Sequence, residues 1–195
     1  MKLKENLNLV KKISLAEYMA PLFELANQQS KSGSHTQENK AAILALSIYA
    51  GHWRFEQFTG KMGPTQIRSN PLIRKNIVLA GRADLRHHFI VSAGIKVIAA
   101  SGVSFAAGEF KELIDAVNGG SGFSFADLAA DRAGTHFARR AIISDHEAEK
   151  LQLAISSNSK ETLFFPDISR LPEGISQVQF KKDFDLAIFI GVTNG

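Results

Sequence analysis

The spacing of apolar and polar residues along the chain is mainly helical. Ser14 and Glu17 form the pattern of a capping box in front of LAEYMAPLFELA, which predicts a helix that Pro21 kinks or splits. Thr36 is expected to cap a second helix that runs through AAILALSIYA and ends at Gly51. The first third of the chain is therefore predicted to form two helices.

The middle of the chain continues this pattern after an irregular stretch from Gly60 to Gly81, within which Ile77–Leu79 is a candidate short strand. Asp84 is expected to cap a helix that ends at Gly102. Further helices are predicted over 103–117, from a capping box at Ser124 and Asp127, and over 145–156.

The helical pattern weakens from Glu161 onward. Pro166 and Pro172 favour extended backbone in the residues before them. This predicts a segment that wraps around the body, with Phe164 and Phe165 as its anchors. Ser176 and Gln179 are expected to open a short final helix, and the apolar run Leu186–Val192 either packs on the core or contacts a partner.

These elements predict an all-α fold: a single-domain bundle of five to seven helices with an irregular C-terminal wrap. The domain is expected to span 14–195, after a basic N-terminal segment at 1–13. The residues predicted to build the core are Ile43, Leu46, Phe89, Ile90, Ile98, Phe110, Leu113, Leu128 and Phe137.

Composition narrows the function classes. With 195 residues, 45% of them apolar, the chain can form a core, and the lack of cysteine excludes disulfides, thiolate metal sites and cysteine nucleophiles. A net charge of +4 is too small to indicate nucleic-acid binding, so a nucleic-acid partner is not expected. The charges are segregated, however: +5 over 61–86 and −4 over 101–131. That separation fits internal pairing or an anionic partner.

Two features bear on membranes. The basic start is followed by a stretch that contains Glu17 and Glu24, so no signal peptide is predicted. Phe89–Gly108 carries a single charge, Lys96, and we interpret it as a buried helical hairpin, with membrane insertion as the alternative. Peripheral contact with an anionic membrane surface is a further hypothesis, through Arg68, Arg74, Lys75, Arg82 and Arg86.

A polar cluster is predicted on three successive helices. On the first, Asp84, His88 and Ser92 recur every four residues and so share one face. The other two helices contribute carboxylates among small residues: Glu112 and Asp115, then Asp127 and Asp131. Carboxylates buried between close helices must pair, protonate or hold a cation.

Three interpretations follow. In the first, the acids cap helices and pair with Arg82, Arg86, Lys111 and Arg132, which makes a structural network of Asp84, Ser92, Asp115 and Asp127. In the second, a divalent metal is the cofactor, held by His88, Glu112, Asp127 and Asp131. In the third, His88, Glu112 and Asp131 perform metal-free acid–base catalysis. A nucleophilic Ser92 is less favoured, because a helix lacks the exposed turn that such serines use.

The same region resembles a known family. GRADLRHHFIVSAG and GEFKELIDAVNGGSGFSFADLAADRAG resemble the YfiM-like bacterial envelope lipoproteins, and more distantly the VanZ-like membrane proteins, over residues 81–140. The matching residues are Asp84, His88, Phe89, Lys111, Glu112, Asp115, Ser121, Gly122, Asp127, Asp131 and Gly134. The chain differs from the lipoproteins in having no cysteine to carry a lipid.

The resemblance implies a location in the bacterial cell envelope or periplasm, and a family of unknown biochemical function whose VanZ-like relatives are linked to glycopeptide resistance. Two functions are then expected. One is a structural or interaction module with an envelope component or protein as partner. The other is a hydrolase-like enzyme on an envelope substrate, with Glu112 or Asp131 as acid–base, His88 as relay or ligand, and Asp127 as ligand or orienter.

Overall fold

A computed structural model describes residues 11–31, 33–58, 71–102, 124–176, 178–179 and 182. Within them the fold is all-α, as predicted. Six α-helices are present: α1 (Leu15–Gln29), α2 (His35–Leu46), α3 (Pro71–Asn76), α4 (Ala83–Ala100), α5 (Phe125–Ile142) and α6 (Asp145–Ser156). Shorter turns of helix are the π-helix Ser47–Gly51 and the 3-10 helices Trp53–Phe58 and Glu161–Leu163.

The sheet of the described residues is one parallel pair of two-residue strands, β1 (Ile13–Ser14) and β2 (Ile77–Val78), with Ile13 opposite Ile77. The short strand predicted near Ile77 is confirmed. The pair joins the start of the chain to the residues that lead into α4, and so fixes where α4 begins.

The central helix of the bundle is α4. It lies along α5, and α2 and the π-helix pack against it, while α1 packs against α2 and α6. Phe89 is fully buried in α4, and its ring lies 5.6 Å from that of Phe137 on α5 and 5.2 Å from that of Phe164. The core is therefore built around the face of α4 that carries Phe89, the residue next to His88 of the predicted polar cluster.

The capping box at the start of α1 is confirmed: Ser14 Oγ accepts from the Ala16 amide, and Glu17 accepts from the Ser14 amide. The expected split at Pro21 is wrong, because α1 runs through this residue to Gln29. Proline removes one amide donor but leaves the other bonds of the helix. Met19 and Phe23, which flank Pro21, are fully buried, and their packing holds the helix together.

The predicted caps of α2 and α4 are wrong. Thr36 does not cap α2; its amide donates instead to Asp145 Oδ1 at 2.8 Å, so an acid of α6 fulfils this role. Asp84 does not cap α4, whose N-cap position is occupied by Arg82. Asp84 lies in the first turn, where a negative charge favours the helix dipole, and the Arg82 side chain binds it.

The C-terminal wrap is present. Phe165 is buried and Phe164 is half-buried against Phe89 and Phe137, so both predicted anchors are confirmed. Glu161 fastens the start of the wrap, because it accepts from Ser14 Oγ at 2.6 Å and from the Ala80 amide at 2.7 Å. The predicted helix over 103–117 and the apolar run 186–192 lie outside the described residues.

Most of the predicted core is confirmed. The buried members are Ile43, Leu46, Phe89, Ile90, Ile98 and Phe137. Phe110 and Leu113 lie outside the described residues. The prediction that Leu128 is in the core is wrong, because its side chain is 40% exposed. The face of α5 toward α4 carries small residues instead, among them Ala126, Ala130 and Gly134.

Among the described residues, no helix is both long enough and apolar enough to cross a membrane. The portion of Phe89–Gly108 that is described belongs to α4 and to the turn after it, and most of its apolar residues are in the core. The interpretation as a buried segment is thus supported for that portion.

Candidate functional site

The site lies where α4 and α5 approach most closely. Gly134 of α5 faces the backbone of Phe89, and an added Cβ would overlap the Phe89 carbonyl oxygen and lie 3.1 Å from its Cα. Glycine at this position lets the two helix backbones come together. Side chains one turn away on either helix are consequently brought within hydrogen-bonding distance of each other.

Asp131 is the centre of this site. Ser92 Oγ donates to Asp131 Oδ1 at 2.7 Å, and His88 Nδ1 lies 3.3 Å from each carboxylate oxygen. Because a carboxylate only accepts, Nδ1 carries the proton in this pair. His88, Ser92, Asp127 and Asp131 are called the Asp131 cluster below. His88 and Ser92 of the predicted face therefore meet the predicted acids of α5, whereas Asp84 binds Arg82.

His88 lies between the two aspartates of α5. Its Nε2 is 3.8 Å from Asp127 Oδ2, on the opposite side of the ring from Asp131. The side chain is 13% exposed. Burial lowers the pKa of His88, but the hydrogen bond to Asp131 and the negative charges of Asp131, Asp127 and Asp84 outweigh it. The net effect is a pKa above the ordinary 6.5.

Asp127 has fewer partners. Its Oδ1 is buried without a hydrogen bond from any described residue, and Arg82 Nη2 lies 3.8 Å from it. Its backbone amide donates to Ser124 Oγ, which confirms Ser124 as the cap of α5. Asp127 is thus held in place by the start of its helix rather than by its carboxylate.

Arg82 connects the cluster to the surface. It binds Asp84 through two hydrogen bonds, of 3.2 and 2.6 Å, and also pairs with Glu173 of the C-terminal wrap. The bond to Asp84 raises the pKa of Arg82, and the same bond lowers the pKa of Asp84. The predicted pairing of an acid with Arg82 is confirmed.

Arg86 and Arg132, which were also predicted to pair with the acids, have other surroundings. Arg86 is 5% exposed, and its guanidinium donates to the carbonyls of Ile77, Ala50 and Arg74 rather than to an acid. Its burial lowers the pKa of Arg86 to about 10. Arg132 is exposed on α5 and forms no ion pair with a described residue. The predicted pairing of Arg86 and Arg132 is therefore wrong for Asp84, Asp127 and Asp131, while their pairing with Glu112 or Asp115 stays a prediction. Because Arg86 is buried, it cannot contact an anionic surface.

Glu112, Asp115 and Lys111 lie outside the described residues, so their predicted roles stay predictions. In the part of the chain that the structure does describe, no group of three or more His, Asp or Glu residues is placed to hold a metal ion. Each aspartate of α5 lies near a different nitrogen of His88: Asp131 is 3.3 Å from Nδ1, and Asp127 is 3.8 Å from Nε2.

The chain was compared with protein-family models, with curated proteins and with solved structures. It matches none of them.

Two long-range contacts made by acidic side chains were not found from the sequence. Glu173 reaches Arg82 across 91 residues of chain, from a segment with no helical pattern to indicate which way it faces. Asp145 caps α2 from α6, 109 residues away. In the sequence, only the separation of basic segments from acidic ones indicated that such contacts form, and it did not show which residues would pair.

The Asp131 cluster can support two kinds of chemistry. As a polar contact it joins two helices through an ionised carboxylate and two donors. As a reactive group it resembles an aspartate–histidine pair, in which the carboxylate orients Nδ1 and leaves Nε2 as the basic atom.

The raised pKa of His88 gives a pH-dependent expectation. The folded pKa lies above the unfolded one, so the stabilisation is complete below the unfolded value and is lost as pH rises through the folded value. We therefore expect His88→Gln to destabilise the protein more at about pH 6 than at about pH 9. Urea unfolding at both pH values measures this difference.

The matched control is the same comparison in an Asp131→Asn background, where the pH dependence should shrink because its main partner is neutral. A pH-independent effect of His88→Gln in the wild-type background would contradict the pairing.

Proposed function

We propose that this chain is a structural or interaction module of the bacterial cell envelope, in which the Asp131 cluster holds α4 against α5. The observation that carries the proposal is the pairing at Asp131. Its carboxylate lies between close helices and is bound by Ser92 and His88 of the opposite helix. A carboxylate satisfied in this way fixes the register of two helices.

The residues around the cluster support the same function. Asp84 is held by Arg82, and Arg82 also pairs with Glu173, so the polar contacts continue from the helix pair to the C-terminal wrap. Among the described residues, two grooves border the wrap, and the residues that line them do not include His88 or Asp131. In the proposed function the cluster is part of the scaffold that presents the surrounding surface.

The envelope location rests on the resemblance of residues 81–140 to the YfiM-like proteins. It is tested by fractionating cells that express the chain from its native gene, with a periplasmic and a cytosolic marker protein in the same gels. Recovery in the periplasmic or membrane fraction is expected. Recovery with the cytosolic marker alone would remove the envelope part of the proposal and leave the scaffold part.

The experiment on the scaffold is Asp131→Asn. We expect the free energy of unfolding to fall by about 1–3 kcal/mol, because an amide replaces an ionised acceptor that has two donors. Denaturant unfolding measures it. Asp127→Asn is the matched control one turn earlier on α5, and its effect should be smaller because Oδ1 has no donor among the described residues.

A second candidate function is a hydrolase-like enzyme on an envelope substrate. The observation that favours it is the orientation of His88, whose Nδ1 is held by Asp131 while Nε2 is directed toward Asp127. In this function His88 Nε2 is the general base and Asp131 orients it. Glu112 remains a candidate acid, and a divalent metal a candidate cofactor.

The same variants separate the two functions. A catalytic site often costs stability, so an Asp131→Asn protein that is at least as stable as the wild type, and has lost an activity on envelope glycans or lipids, would favour the enzyme. Thermal melts with EDTA and with a panel of divalent ions test the metal. A melting temperature that rises with one ion, but not in Asp131→Asn, would identify a metal site.

A further inference from the structure

A groove of about 490 Å³ lies between α5 and the start of the C-terminal wrap. Its floor is apolar and is formed by Ala129, Ala133 and Phe137 of α5, by Leu151 of α6, and by Phe164. Its volume is within the range of sites that take one small molecule. The groove uses a different face of α5 from the Asp131 cluster.

One edge of the groove is basic. Arg132, His136 and Arg140 recur every four residues, so they stand in a row along α5, and all three are exposed. None of the lining residues is acidic. Glu147 lies 3.9 Å from Arg140, at the limit of an ion pair, and Arg132 forms no ion pair with any described residue. An anion on this edge would meet positive charge that, among the described residues, only Glu147 offsets.

The floor favours a hydrocarbon chain over a peptide. Alanine, leucine and phenylalanine side chains offer no hydrogen bonds, and the backbone of α5 is already bonded within the helix. A peptide laid here would bury amide and carbonyl groups without partners, which is costly. An alkyl chain has no such groups, and its burial is favourable along its whole length.

We propose that this groove binds a medium-chain fatty acid, with its carboxylate on the basic edge of Arg132 and Arg140 and its alkyl chain over Ala133, Phe137 and Leu151. Two arginines suit a carboxylate, since the guanidinium donates two parallel hydrogen bonds to it. The site goes beyond the scaffold function proposed above and does not depend on it, because it shares no side chain with the Asp131 cluster.

The test is a calorimetric titration of the full chain with dodecanoate below its micelle concentration. Saturable binding of one dodecanoate per chain is expected. Replacing both head-group residues, in Arg132→Gln/Arg140→Gln, should weaken binding about tenfold or more. Arg139→Gln is the matched control, because Arg139 is an exposed neighbour on α5 that does not line the groove. The affinity of this variant for dodecanoate should equal that of the wild type.

Two further arms test the floor and the head group. Ala133→Phe fills the groove and should abolish binding, with circular dichroism to verify that the variant is folded. Dodecanol has the same chain without the charge and should bind about tenfold or more weakly. Because the arginine variants alter only exposed side chains, they keep the test decisive even when Ala133→Phe fails to fold.

Several outcomes would overturn the proposal: no saturable binding, equal affinity for dodecanol, or an equal loss in Arg139→Gln. Binding to vesicles of anionic phospholipid without binding of monomeric dodecanoate would make the edge a membrane contact instead. A concentration-dependent dimer that Ala133→Phe abolishes would make the groove a contact between copies of the chain.

Discussion

Gly134→Ala is expected to lower the free energy of unfolding by about 2–3 kcal/mol. The added methyl group would overlap the carbonyl oxygen of Phe89, which belongs to the backbone of α4 and has no rotamer by which to move aside. The helices would have to separate, and the separation would also lengthen the hydrogen bonds at Asp131. Urea unfolding monitored by circular dichroism measures the loss.

The sign of this effect makes the test sharp. In an exposed helix, alanine is more favourable than glycine by about 1 kcal/mol, so a loose contact would make Gly134→Ala stabilising. Thr135→Ala is the matched control at the next, exposed position of α5, and it should change stability by less than about 0.5 kcal/mol. A stabilised Gly134→Ala protein would contradict the close approach of α4 and α5.

Arg86→Lys is expected to lower the free energy of unfolding, as measured by urea unfolding, by about 3 kcal/mol. Arg86 is 5% exposed and donates to three carbonyls: Ile77 at 3.3 Å, Arg74 at 3.3 Å and Ala50. They belong to β2, to α3 and to the π-helix. An ammonium group cannot reproduce the planar fork of the guanidinium, so at least one carbonyl loses its donor, and each loss costs about 1–3 kcal/mol.

Two variants complete this experiment. Arg139→Lys, on the surface of α5, is the matched control and should be near neutral. Arg86→Met removes the buried charge together with the hydrogen bonds. A Met variant as stable as the wild type would show that desolvation of the charge cancels the hydrogen bonds, which contradicts a stabilising role for Arg86.

Much of the helical architecture was predictable because local rules set it. The capping side chains at Ser14 and Ser124 satisfy amides within the next three residues, so sequence spacing alone reveals them. α6 begins and ends at the predicted residues, Asp145 and Ser156. The prediction failed where a distant residue took over a local role, as when Asp145 rather than Thr36 capped α2.

The candidate site was predictable in part for the same reason. Four-residue spacing placed Asp84, His88 and Ser92 on one face and Asp127 with Asp131 on another, and helical geometry alone decides this. Which cation each acid meets depends on tertiary packing. Arg86 carries the same charge as Arg82, yet one is buried among carbonyls and the other binds Asp84. Charge counting cannot distinguish them.

The misplacement of Leu128 has a similar origin. Hydrophobicity places a leucine in the core, but the close approach at Gly134 leaves room only for small side chains between α5 and α4. Alanine and glycine occupy that face, and the larger leucine is turned outward. The short distance between α4 and α5 therefore decided which way Leu128 faces, and no local sequence pattern indicates that distance.

The packing of α1 against α6 has a consequence for how the protein is made. Asn27 of α1 donates to the buried Gln152 of α6, which is 125 residues later in the chain. At ribosomal speeds of about 5–20 residues per second, α6 is synthesised roughly 6–25 s after α1. Throughout that interval the side of α1 that α6 will cover has no native partner. The nascent chain therefore presents this apolar surface to the cell's chaperones until α6 is made and covers it.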